Sequence, residues 1–101
     1  MSEWIYFIHP PRDDFAANLT VEEQAAFTDH FEYLQSLLAS GTLILAGPTQ
    51  GSTNIGVVIF EEADRERAQA IVDADPVIAG SFARAELHPY RVALTRPPTA
   101  S

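Results

Sequence analysis

The chain has 101 residues, a formal charge of −8, no cysteine and, with all six of its cations arginine, no lysine. This rules out disulfides, thiolate catalysis, Cys-ligated zinc and Schiff-base chemistry through a lysine, and an acidic surface with scattered arginines argues against nucleic acid as a partner. The length fits one domain that buries roughly 65% of its unfolded surface; no apolar run is long enough to span a membrane and the N-terminus lacks a basic signal region, so the expectation is a soluble, cytoplasmic protein.

Glu3 to His9, rich in Ile, Tyr and Phe and stopped by Pro10-Pro11, reads as a strand. Arg12 to Leu19 reads as a polar loop. Thr20 with Glu23 matches the capping box, in which each side chain bonds the other residue's backbone N–H, and so opens a helix. That helix should run to about Ser40, with Gly41 as its C′ residue. Thr42 to Ala46 reads as a buried strand ended by Gly47-Pro48, and Asn54 to Phe60 returns as its hairpin partner across a turn of small residues. Asp64 is a candidate N-cap for a second helix, whose apolar face carries Ala68, Ile71 and Val72. It should end near Asp73 or Ala74, because Pro76 disfavours helical geometry at Asp75. Val77 to Phe82 can hold one further helical turn. Arg84 to Ala93 closes the domain as a strand, with Ala85, Leu87 and Pro89 on one face and Glu86, His88 and Tyr90 on the other; Pro89 points to an edge position or a bulge. The domain is therefore assigned to residues 1–95, with a flexible tail over 96–101.

The order β-α-β-β-α-β is the ferredoxin-like arrangement, an α+β fold with a four-stranded antiparallel sheet and two helices on one face. Both middle strands carry apolar residues on both faces. The second sheet face is therefore expected to be covered, and a homodimer packed sheet to sheet is the expected cover.

His30 belongs to the stripe Phe27, His30, Phe31, Leu34, Leu37, Leu38, which follows one face of the first helix. An imidazole pointed at a core must meet a polar partner, and Asp75, where the second helix breaks, is the best candidate. A carboxylate on one ring nitrogen fixes the tautomer and frees the other nitrogen to act as acid or base. The alternative is a structural pair, with His30 satisfied by a carbonyl and Asp75 shaping its turn. Gly47 and Pro48 are candidates for a pocket rim. Arg12 can hold an anionic group in bidentate fashion, with His9 beside it. Three histidines without close spacing make no metal motif, and no cofactor is expected.

The segments His30-Phe31-Glu32-Tyr33-Leu34, Gly41, Leu45-Ala46-Gly47-Pro48, Gly56 and Ala74-Asp75-Pro76, in this order and spacing, resemble the YciI-like (YCII-related) family. The likeness runs from the first strand to Pro89-Tyr90-Arg91. It implies a ferredoxin-like domain pairing into a dimeric α+β barrel, and a cleft whose His and Asp fall on His30 and Asp75. The family's assigned chemistry includes dehydrochlorination of a chlorinated hydroxyquinol, and related barrels include muconolactone isomerases and cofactor-free monooxygenases. The chain departs from the pattern at Val77, where relatives often carry a bulky aromatic, and at His9-Pro10-Pro11, where many carry an Arg.

Together these readings lead to the expectation of a cofactor-free enzyme of lyase or isomerase type, acting on a small aromatic or lactone-like molecule. His30 would be the general acid or base, Asp75 its orienting partner, and Gly47, Pro48, Arg12 and His9 the substrate contacts. The competing expectation is a non-catalytic dimeric module, ligand-binding or stress-associated, in which the His-Asp pair is structural.

Overall fold

Alternating burial along Ser2–His9 makes the first strand, β1: Trp4, Tyr6 and Ile8 point into the main core, while Phe7 points to the opposite face. The computed structural model describes residues 1–97, so most of the expected tail, residues 98–101, lies outside the described residues. A helix, α1, spans Val21–Ala39. β2 (Leu43–Pro48) and β3 (Gly56–Glu62) follow. Then come α2 (Arg65–Asp73), a single turn α3 (Pro76–Ala79) and β4 (Arg84–Tyr90). The strands lie in the order β2-β3-β1-β4, and each neighbouring pair is antiparallel. This is the ferredoxin-like order.

Local chemistry explains the ends of α1. The Thr20 side chain accepts from the Glu23 N–H, and the Glu23 carboxylate accepts from the Thr20 N–H, a complete capping box. At the other end Gly41 takes φ +84°, and the Thr42 and Gly41 N–H groups donate to the carbonyls of Leu37 and Leu38. That is the Schellman closure, which needs a residue tolerant of the left-handed region. Asp64 caps α2 by accepting from the Arg67 N–H.

Ala26, Leu34 and Leu37 of α1 join Ala68 and Val72 of α2 over the inner face of the sheet, against Tyr6 and Phe60, whose rings meet edge to face at 5.9 Å. Each large apolar side chain buried here contributes about 1.5–3 kcal/mol.

Three expectations need correction. The apolar stripe of α1 is narrower than its spacing implies. Phe31 is 62% exposed and Leu38 58% exposed, because the sheet covers only the arc holding Ala26, Leu34 and Leu37, and at about 100° per residue Leu38 sits about 40° and Phe31 about 60° beyond the edge of that arc at Leu34. β2 is an edge strand rather than a buried one: Leu43 is buried, but after an irregularity between Leu43 and Leu45 its residues are exposed, Leu45 at 52%. The stretch 12–19 is not simply a polar loop. It holds a 3₁₀ turn at Phe15–Ala17 that buries Phe15 against Phe27, ring centroids 5.1 Å apart.

The face of the sheet away from the helices carries Ile5, Phe7, Leu45, Val57 and Ile59, which the strand register places side by side. Among the described residues no helix is long and apolar enough to cross a membrane.

Candidate active site

Asp75 ends the second helical segment as Pro76 requires. It leaves helical geometry with ψ 124° and becomes the N-cap of α3, its side chain accepting from the Val77 N–H at 3.1 Å. The residue is fully buried. A carboxylate in that position needs partners for both oxygens, and the fold supplies them. The Tyr6 hydroxyl donates to Oδ2 at 2.8 Å, and His30 Nδ1 lies 2.8 Å from both oxygens. Middle of α1, centre of β1 and start of α3 thus converge on one carboxylate.

The protonation pattern follows from this count. Burial, and then the charge on Asp75, push the Tyr6 phenol far above its ordinary value, so it stays a donor. Burial and the same charge raise Tyr33 to about 12; its hydroxyl donates to the Ile71 carbonyl at 2.7 Å and ties α1 to α2. An ionised carboxylate only accepts, so His30 must present Nδ1–H to it. The other ring nitrogen, Nε2, bonds no protein group among the described residues and is not sealed from the surface. The ring is held edge-on to Phe27, with centroids 5.6 Å apart, and the side chain is only 13% exposed.

The ring borders a cavity of about 740 Å³. One wall is aromatic and aliphatic: Phe27, Phe31 and Leu34 from α1, with Phe15 and Leu19 from the segment after β1. The facing wall is Ala46, Gly47 and Pro48 of β2 with Gln50 and Asn54 of the β2–β3 loop. An apolar slot with a few polar groups is the usual form of a small-molecule site.

The structure brings His30 and Asp75 together, and His30, Gly47 and Pro48 border the cavity. The other two expected contacts are elsewhere. Arg12 does not line the cavity: its guanidinium forks onto Glu23 at 2.8 and 2.9 Å, bonds Asn18 twice and lies 5.1 Å from the Phe15 ring centroid. The hydrogen bond from Arg12, and then that from the Thr20 N–H, hold the Glu23 carboxyl down to about 2. His9 is the last residue of β1 and bonds Glu86 Oε1 at 3.0 Å on the far side of the sheet, because alternation puts it on the face opposite Ile8. Among the described residues no group of three or more His, Asp or Glu is placed to hold a metal ion.

Two site residues escaped the sequence reading. Tyr6 carried a usable signal, a phenol at a core position that must find a partner. Asn54 carried none, since an Asn between two strands reads as turn chemistry.

The family model described as YCII-related domain matches residues 5–91. No curated protein matches the chain. Among solved structures, 5-chloro-2-hydroxyhydroquinone dehydrochlorinase (TftG) from Burkholderia phenoliruptrix, in complex with 2,5-dihydroxybenzoquinone, is similar in fold at 14% sequence identity. The match covers 87% of this chain and 93% of that one, with a TM-score of 0.63.

Proposed function

The chain belongs to the YCII-related family, and from that premise we propose that it is a small enzyme moving a proton on a compact ring molecule, with His30 as general base and acid. One observation carries this reading: the imidazole is anchored through Nδ1 on a buried carboxylate, its Nε2 bonds no protein group among the described residues, and the ring borders an apolar cavity. In the proposed step Nε2 takes a proton from an acidic C–H or O–H of the ligand. Asp75 stabilises the imidazolium that results. The proton then returns to a different ligand atom, an isomerisation, or goes to solvent while an anion leaves the neighbouring carbon, an elimination. A positioned acid–base group contributes on the order of 10²–10⁴ in rate. The named activity of TftG is an elimination from a hydroxylated ring, so chlorinated and hydroxylated hydroquinones are the first compounds to assay. Replacing His30 with Ala should lower turnover by at least about 10²-fold; unchanged turnover removes His30 from the mechanism.

A second reading has its own support. Asp75 also caps α3 and receives Tyr6, as it would in a ligand-binding module whose His-Asp pair is only structural. Binding of these rings with no turnover by the native protein favours that reading.

The proposed assembly is a homodimer formed through the helix-free sheet face, where the half-buried Phe7 and Val57 and the exposed Leu45 surround Ile5 and Ile59, which are already buried in the single chain. Sedimentation at micromolar concentration should give a dimer, and a clean monomer contradicts it.

A further inference from the structure

Asn54 stands on the β2–β3 loop with its orientation already decided. Its Nδ2 donates to the Thr49 carbonyl at 2.7 Å, and only the amide NH₂ can make that bond. The loop beneath it is held by Thr49, whose N–H donates to the Ile55 carbonyl at 2.8 Å and whose Oγ1 accepts from the Ile55 N–H at 2.9 Å. The side-chain carbonyl, Oδ1, is therefore a fixed acceptor with no partner among the described residues, on a residue that borders the same cavity as His30.

The charges around the cavity limit what can enter it. Among the described residues no arginine borders it, and Arg12 is committed to Glu23 and Asn18. One carboxylate stands behind the cavity wall instead, and a second, exposed one lies on the loop beside it. Asp75 lies behind His30, and Asp13 accepts from Thr53 Oγ1 at 3.1 Å, which links the segment after β1 to the β2–β3 loop. An anionic ligand would lose its hydration with no cation to replace it, in the field of like charges. An uncharged ring loses little water and gains contact with Phe15, Phe27 and Phe31.

We propose that this cavity selects an uncharged, hydroxylated ring, and that Asn54 Oδ1 accepts a hydrogen bond from a ring hydroxyl. The proposal rests on the reading that this cavity is the reaction site. It makes Asn54 a specificity-determining residue.

The test is an NMR titration of the native protein with three ring probes: hydroquinone, 1,4-dimethoxybenzene, which has no hydroxyl to donate, and 4-hydroxybenzoate, which carries a carboxylate. Hydroquinone should shift the His30 ring and Asn54 side-chain resonances and bind about tenfold more tightly than either other probe, the effect of about one net hydrogen bond. Asn54→Ala should bring hydroquinone and dimethoxybenzene to equal affinity while leaving the probe-free His30 resonances in place. No response to hydroquinone, equal binding of 4-hydroxybenzoate, or equal binding of dimethoxybenzene by the native protein overturns the proposal, as does an unchanged hydroquinone preference in Asn54→Ala. The native comparison needs no variant to fold. Because affinity is read without turnover, the two claims fail separately. A preserved preference with a fully active His30→Ala enzyme sinks only the proton-transfer reading. A missing preference with an inactive His30→Ala enzyme sinks only this one.

Discussion

The molecule contains two histidine–carboxylate groupings, and they differ in everything except chemistry. Between α1 and α3, Asp75 is fully buried and takes Tyr6, His30 and the Val77 N–H. On the helix-free sheet face, Glu86 has a side chain 43% exposed and bridges His9 at 3.0 Å and His88 at 2.7 Å. The His88 hydrogen bond, and then that of His9, lowers the Glu86 carboxyl below its ordinary value, but water competes for every member of the group. The buried carboxylate has no such competitor, so its partners are obligatory and their geometry is fixed. Burial thus separates a pair that can orient a base from one that decorates a surface.

Breaking each group should expose that contrast. Asp75→Ala strands the Tyr6 hydroxyl, the His30 Nδ1–H and the α3 cap together, and should cost about 3–5 kcal/mol in chemical denaturation. Tyr6→Phe removes one donor and leaves Asp75 with His30 and Val77, so about 1–2 kcal/mol is expected by the same measurement. A titration of stability sharpens the point from the alkaline side. The unfolded Tyr6 loses its proton near 10.0, whereas the folded one holds it well beyond. Its raised value contributes stability that is complete below pH 10 and is lost as pH rises further, and Tyr6→Phe should flatten that part of the curve. Glu86→Gln, the matching change in the group that is exposed in the single chain, should leave stability within experimental scatter in chemical denaturation at concentrations where sedimentation shows a monomer. If Glu86→Gln destabilises as much as Asp75→Ala, burial is not what distinguishes the two.

The buried pair was legible in the sequence because two local rules pointed at it. An imidazole among Phe27, Leu34 and Leu37 needs a partner, and Asp-Pro at a helix end places a carboxylate where a short turn can use it. The capping box, the Gly41 stop and the β-α-β-β-α-β order of a ferredoxin-like fold were legible for similar reasons, each being set within a few residues or by the order of elements. What depended on the path of the chain in three dimensions was not legible. Arg12 looked free because nothing in Arg12-Asp13-Asp14 shows that the 3₁₀ turn at Phe15–Ala17 folds the guanidinium back onto Glu23. His9 looked like a neighbour of the site until the register of β1 with β4 placed it on the opposite face, paired with Arg84. The apolar β2 looked buried because composition does not say which strand ends up at an edge.

The central claim is that His30 keeps a lone pair on Nε2 ready to take a proton, because Asp75 holds the ring through Nδ1–H. Long-range ¹H–¹⁵N correlation of the His30 ring tests it directly. The account predicts a protonated, pyrrole-like Nδ1 and a pyridine-like Nε2 in the neutral ring, with the Nε2 shift moving when a hydroquinone is added. A proton resident on Nε2 in the neutral ring, or an Nε2 shift indifferent to every ring compound tried, contradicts it.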